Sequence, residues 1–568
     1  MARSAGGRTQ LWSLVTGELL RRGARRLRAG PRQRWRFGGR TPDRVLFAPP
    51  DMRHADPQIA SEIYAGRFPL SGHLVRTGGL SPFQIQVSNR GWVKSLHGFR
   101  WLRHMRAAGT DLAASNARAL VADWILTHGG HIDRVAWDTG TTAKRIIAWL
   151  QHSSVILQGA DMRFYRNFLR SLAAQVRYLR WAVKTMPDGK ERLRAAVALS
   201  FATLSLPAPV SQARAASRLL ENTLNAQILP DGGHVSRHPL AIVELLADLL
   251  PLKETYLTQT QSVPPALMGA IDRMMPAIRF FLHRDGALAR FNGMGATLQE
   301  RVATILERDE NNAAPLLSAP HSGYDRLALG DTVVIADTGT PPAVEISGNA
   351  NAGCLSFELS SERSCIVVNC GIDTYGEADI RPLGRATAAH STLTLNDTSQ
   401  ARFNHPDRIR AYLGTPLIEG ATKVSCARTD TPAKQGFVAA HDGYLGAFGL
   451  FHERTLELHD GGRRLDGADR LYAKGGSAPK PGARDSYSIR FHIHPDVAVD
   501  IDGAYVTLTA RDGTCWRFSS PDVSPRIEDT IYFAGLAGPR RSRQIVLAGK
   551  ARDMHVVRWR FERALDNP

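Results

Sequence analysis

At 568 residues the chain is too long for one hydrophobic core, so two large domains or three smaller ones are expected. A hydrophobic fraction of 43% beside 22% charged residues gives no case for disorder or a membrane channel, and no run of about 18 apolar residues offers a spanning helix. The net charge of +19 favours an anionic partner: nucleic acid, phospholipid or an acidic polysaccharide.

The charge is unevenly placed. Residues 1–40 hold eleven arginines against one acid, Glu18, so ten of the nineteen net charges sit in this arm. Within residues 11–28, Leu11, Trp12, Leu14, Val15, Leu19, Leu20 and Leu27 fall among arginines, the pattern of a short amphipathic helix for an anionic membrane or nucleic acid. A basic helix packed on the protein is the open alternative. The apolar stretch is short, is interrupted by Glu18 and runs into arginines, so it reads poorly as a secretory signal. Five cysteines, Cys354, Cys365, Cys370, Cys426 and Cys515, have no CxxC spacing and are expected to be reduced thiols.

Residues 1–90, rich in Pro and Arg, read as an arm with an extended lead-in. Residues 91–310 show helical spacing. Phe164, Phe168, Leu172, Val176, Leu179 and Val183 mark one buried face, with Arg163, Arg166, Arg170 and Arg177 on others, and segments near 111–127, 142–157, 191–206, 212–228, 239–256 and 264–284 read similarly. Antiparallel helix pairs in an irregular ring or bundle bury such faces. After a turn-rich linker near 311–323, residues 324–562 alternate with period two. Asp-Gly turns at 460–461, 502–503 and 512–513 punctuate strands expected at 332–337, 354–359, 364–369, 390–395, 454–458, 488–494 and 505–510. Many short strands with tight turns imply a large antiparallel sandwich.

Three clusters could carry chemistry. In RPLGRATAAHSTLTLN, His390 sits at the mouth of a strand with Arg385 near enough to hold an anion. In ILPDGGHVSRHP, His234, Arg237 and His238 lie in a glycine loop before a helix started by Pro239, an anion pocket or simply a turn with a cap. In the β-half His441, Tyr444 and His452 fall close together, and His492 and His494 share a strand face. Phosphate-loop and nucleophile-elbow patterns are absent.

A helical half ending in DGGHVSRHP, followed by SFELSS, RATAAHSTLTLND, HDGY and RFHIHP in that order, resembles the heparinase II/III-like polysaccharide lyases over about residues 90–560. The resemblance implies an incomplete α/α toroid followed by a multilayered antiparallel β-sandwich, with a site between them that cleaves a uronic-acid-containing glycan by β-elimination. His390 would bind the uronate or act as base, His234 and Arg237 would bind the carboxylate, and Tyr444 or Tyr375 would protonate the leaving oxygen. No cofactor is required; a structural divalent cation in the β-half, with His452 as candidate ligand, is a further implication. Two departures stand out. Ala241 occupies the position of the family's tyrosine, and the segment PDGKERLRAAVAL at 187–199 lacks its Asn-His pair. The alternative is therefore a catalytically degenerate glycan-binding or envelope-associated protein, with nucleic-acid binding through the arm a more distant third. The resemblance favours the periplasm or envelope, and the poor signal leaves the cytoplasm as alternative.

Overall fold

The computed structural model describes residues 12–20, 23, 37–130, 132, 135–309, 312–374, 376, 380–403, 414–479 and 485–564. Helices of the first half fall into two kinds. Thr139–Gln151, Lys190–Ser205 and Pro239–Thr260 are buried almost all round, whereas Met162–Ala182, Val210–Gln227 and Pro265–Phe281 bury one face. A helix apolar on every side belongs inside, so the first three form the inner wall of the toroid and the others its outer layer. Thr139–Gln151 and Pro239–Thr260 both lie against Lys190–Ser205. In Met162–Ala182 the expected stripe holds: Phe168, Leu172, Val176 and Leu179 are buried, Phe164 partly so, and Arg163, Arg166 and Arg170 face solvent.

Two sequence expectations change. The segment expected as one helix near 142–157 is two, Thr139–Gln151 and Ser153–Leu157, because His152 leaves helical geometry at φ −109° and ψ 19°. The lead-in is not simply extended. It holds the helix Pro57–Tyr64, capped by Asp56 accepting from Gln58 N, and the hairpin Arg67–Leu70 with His73–Arg76. Ala60, Ile63, Phe68 and Leu70 join the toroid core beside Trp92, Trp101 and Trp124, so this lead-in is packed as part of the helical half. No described helix is long and apolar enough to cross a membrane.

Among the described residues the second half is built on two large antiparallel sheets, with Arg402–Phe403 and Leu417–Glu419 forming a small two-stranded one beside them. One runs, in spatial order, Val424–Arg428, Gln435–His441, Leu450–His459, Arg464–Ala473, Val556–Arg563, Cys515–Ser519, Tyr505–Ala510 and Val497–Asp502. The other runs Arg526–Tyr532, Arg540–Lys550, Ser486–Ile493, Ser364–Val368, Phe357–Ser361, Thr332–Asp337, Tyr324–Leu329 and Ser318–Ala319, with Leu393–Leu395 paired to Ser486–Ile493. Phe357, Ile489 and Phe491 of the second sheet meet Leu456, Trp559 and Phe561 of the first in one core. Strand Leu450–His459 alternates buried and half-buried, as one covered face requires. Thr332–Asp337 and Phe357–Ser361 are buried throughout, because Tyr324, Val333 and Ile335 turn their other side into the toroid core. The order of layers is toroid, inner sheet, outer sheet. The Asp-Gly turns behave as expected: Gly461, Gly503 and Gly513 have φ of 62°, 59° and 87°.

Candidate functional site

The sequence points to the junction of the two halves, and the loop at 231–238 makes much of that junction. Gly233 permits a close approach: a Cβ there would lie 1.8 Å from Ser322 Oγ. Asp231 accepts from Ser322 N at 2.7 Å and from Ser322 Oγ at 2.6 Å, docking the loop on the β-half. His234 Nδ1 accepts from Ser236 N, its Nε2–H donates to Gln227 Oε1 at 3.2 Å, and burial pushes its pKa down to about 3. It is a neutral brace for the turn.

Arg237, expected to bind a substrate carboxylate, is committed to the fold. Its guanidinium makes five bonds, to Ser322 O, Gly323 O, Gly339 O, Thr340 O and Asp337 Oδ1, the last at 2.6 Å. Those are all the donors an arginine has. Arg385 is likewise spent on Ala350 O, Thr415 O and Oγ1 and Ser347 O, with its plane 4.2 Å from the Phe403 ring centre. Neither offers a free fork to an anion.

His390 ends the short turn Thr387–Ala389, and the strand that follows is only Leu393–Leu395, buried on both sides. Leu393 and Leu395 enter the sandwich core while Thr394 Oγ1 donates to Ser488 O at 3.2 Å, and all three are buried because the inner sheet is covered on both sides. His390 Nδ1–H donates to Ala386 O at 2.8 Å, so Nε2 carries the lone pair, and it accepts from Asn351 Nδ2 at 3.0 Å. Its ring lies flat on Gly353, where a Cβ would come within 2.5 Å of Cδ2. The residue is 1% exposed, and desolvation, outweighing the bond from Nδ1, holds its pKa near 4. At neutral pH this imidazole is uncharged, as a base must be, yet its lone pair is already engaged.

On the toroid side the starts of the three inner helices meet. The Glu191 carboxylate rests against Gly140, Lys190 donates to Glu244 Oε2 at 2.5 Å, and Arg194 reaches Glu191, Glu244 and Asp248. His238 stands at the N-cap of Pro239–Thr260 and feels Lys190, Glu244 and Arg381; it is 6% exposed, its Nδ1 has no protein partner, and burial lowers its pKa to about 3. Ala241, in the next turn, is 1% exposed and offers no polar group.

Residues 311–560 match the family described as Heparinase II/III-like, C-terminal. Over 572 aligned positions the chain is 31% identical to FtsZ-localized protein C of Caulobacter vibrioides (strain NA1000 / CB15N), covering 99% of this chain and 97% of that protein. The chain belongs to the heparinase II/III-like family. Crystal structures carry the same fold at low identity. Heparinase III superposes with a TM-score of 0.71 at 13% identity, covering 90% of this chain and 85% of that one. The heparan sulfate lyase HepC from Pedobacter heparinus does so at 0.60 and 17%, covering 100% and 92%. The α/α toroid with a multilayered β-sandwich expected from the sequence is the fold of this heparinase II/III-like chain.

Within that family fold the remaining expected groups are structural. Tyr444 is 1% exposed and donates to Leu393 O at 2.9 Å; burial raises its pKa, so it is no proton donor facing a cleft. Tyr375 lies outside the described residues. His441 faces His452 across paired strands. Gly443 N donates to His441 Nδ1 at 2.9 Å, so His441 Nε2–H donates to His452 Nδ1 at 3.2 Å, and His452 Nε2–H donates to Asp469 Oδ1 at 2.7 Å. Asp469 also takes both prongs of Arg454 and the Trp559 indole N–H. This ladder fills the ring nitrogens of His441 and His452, and no group of three or more His, Cys, Asp or Glu able to hold a metal is found among the described residues. His492 is tied to Ala388 O and sits beside Cys370. The residues that sequence reading missed are Asn351, Lys144, Lys190 and Glu244. The adjacent Lys144 and Arg145 at the head of the apolar run IIAWL were the available signal for Lys144.

Proposed function

We propose that this chain is a non-catalytic member of the heparinase II/III-like family that acts as a binding protein of the bacterial cell-division apparatus. The observation that carries the reading is the state of the would-be catalytic groups. His390 has its lone pair engaged by Asn351, Arg237 has all five donors spent, Arg385 has four of its five donors on the loops around it, and Tyr444 is sealed in the sandwich core. β-Elimination needs a base, a carboxylate clamp and a proton donor, and proton transfer alone supplies about 10²- to 10⁴-fold. Ala241 and the helix start at Lys190 put no tyrosine, asparagine or histidine in their place.

The relative named FtsZ-localized protein C, similar along almost the full length, supports a division-site role. The arm supports attachment to an anionic membrane surface. Residues 12–20 are helical and leave Trp12, Leu19 and Leu20 62%, 51% and 74% exposed beside the arginines. An acidic glycan remains a candidate ligand of the junction.

The test pairs two measurements on the purified full chain. Co-sedimentation with FtsZ polymers is expected, together with no ultraviolet absorbance of an unsaturated uronate from a panel of uronate glycans. A rise in that absorbance that His390→Ala abolishes would replace this reading with a working lyase. Absence of co-sedimentation, with a fluorescent fusion spread away from the division site, would remove the FtsZ connection.

A further inference from the structure

The outer wall of the toroid carries its charge unevenly. In Met162–Ala182 and the short turn Val183–Thr185 that follows it, positions 163, 166, 170, 174, 177, 181 and 184 recur at three- and four-residue steps and share the side turned away from the core. They hold Arg163, Arg166, Arg170, Arg177, Trp181 and Lys184, with Ala174 in the remaining place, and the chain has no acid between Asp161 and Asp188. At about 1.5 Å of rise per residue this is a basic stripe about 30 Å long. Other outer helices mix their signs, as solvated faces do: Val210–Gln227 has Glu221 with Arg218, and Pro265–Phe281 has Asp272 with Arg273.

Two neighbouring features give the stripe an occupant. Asp111–Thr127 packs beside Met162–Ala182; it buries Ala113, Ala117, Val121 and Trp124 and turns Leu112, Ser115, Ala119 and Leu126 outward, a line without charge. Leu112 is 58% exposed and Leu126 85%, and Met162, at the head of the basic helix, is 63% exposed. The arm meets the fold at the same wall. Phe37 rests on Tyr178 and Trp181, with ring centres 5.6 and 5.9 Å apart, and Arg177 donates to Phe37 O at 2.7 Å and to Arg40 O at 3.1 Å. A nucleic acid would use the arginines and leave the leucines in water. An anionic bilayer uses both, since its phosphates take the guanidinium groups, its headgroup layer suits an indole, and its acyl boundary takes apolar side chains.

We propose that the wall formed by Asp111–Thr127 and Met162–Ala182 lies on an anionic phospholipid bilayer, with Arg163, Arg166 and Arg170 on lipid phosphates and Leu112, Leu126 and Met162 entering the headgroup layer. The inference rests on the reading of the arm as a membrane contact for the kind of surface, and adds a second contact made by the folded toroid itself. Two packed helices laid on a surface fix how the chain stands there, which a tether alone does not.

Flotation of the full chain with phosphatidylcholine vesicles containing phosphatidylglycerol tests it, with pure phosphatidylcholine vesicles and duplex DNA as comparisons and thermal melting as the control for folding. Binding to the anionic vesicles is expected, weakening as salt is added. The combined variant Arg163→Gln, Arg166→Gln and Arg170→Gln should weaken it about a hundredfold, roughly fivefold for each charge, at an unchanged melting temperature. Leu112→Ser with Leu126→Ser should weaken vesicle binding about tenfold. The arm is tested apart from the wall by Leu19→Asp with Leu20→Asp. Lost binding in that variant with none lost in the arginine variant would keep the arm as the membrane contact and overturn the wall; the opposite result would keep the wall and remove the arm. No binding to anionic vesicles, equal binding to pure phosphatidylcholine, or tighter binding to DNA than to vesicles would each overturn the proposal.

Discussion

In the β-half, Arg385, Tyr444, His452 and Arg454 direct their donors at carbonyls or carboxylates supplied by neighbouring strands and loops. At the starts of the inner toroid helices, His238 keeps a buried Nδ1 that no neighbour meets, and the half-buried Lys144 has no salt-bridge partner among the described residues. The residue types are alike, and the difference lies in the backbone around them. Strand ends and turns present carbonyls, which consume arginine, tyrosine and imidazole donors, whereas helix starts present N–H groups, which cannot satisfy a lysine or an imidazole N–H. A polar side chain in this fold is structural where carbonyls converge and available where amides converge.

The most damaging way to test that division is Arg237→Ala. Removing the guanidinium strands Asp337 and four carbonyls in the junction, and an expected loss of about 3–5 kcal/mol should appear as a lower urea midpoint. A loss below about 1 kcal/mol would show that the junction does not depend on it.

Acid is the next largest lever. His390 is held near 4 in the folded chain against about 6.5 when unfolded. A depressed folded value means its contribution is complete above about 6.5 and is lost as pH falls from there toward 4, a change of about 3 kcal/mol for this group alone. His234 and His492, near 3, extend the slope to lower pH. Urea midpoints measured from pH 7 to 4 should fall, and His390→Gln should flatten the upper part of that fall. A flat profile would mean the imidazole is reached by water.

Tyr444→Phe should cost only about 1 kcal/mol, the bond to Leu393 O, and leave any glycan affinity untouched. A loss of glycan binding would return Tyr444 to the site. The smallest effect has the opposite sign: Lys144→Met should stabilise the chain by about 1 kcal/mol in the same urea assay, because desolvation of its ammonium outweighs the attraction of Glu191 and Glu244 and lowers its pKa to about 8. Destabilisation would reveal a partner for Lys144.

The architecture was legible because both periods are local. The stripe through Phe168, Leu172 and Val176 and the strand Tyr505–Ala510 can be read within a dozen residues. The state of the site was not, because it is set at long range. His390 depends on Asn351 and Gly353, nearly forty positions away, and Arg237 on carbonyls about a hundred positions away. A sequence shows that an arginine can bind a carboxylate but not that five acceptors are already waiting. Ala241 was readable as a departure because it is a substitution in place, needing no knowledge of neighbours.

The Arg237 clamp also bears on how the chain comes apart. One residue of the helical half is bonded to three separate stretches of the sheet half, at 322–323, 337 and 339–340, while Tyr324 and Ile335 lie in the core that the toroid helices build. Dissection of the gene at residues 311–317 would leave each product with a raw apolar face and an unmatched buried charge. The two architectures thus constitute a single cooperative unit of folding, and neither is a module that can be borrowed without the other.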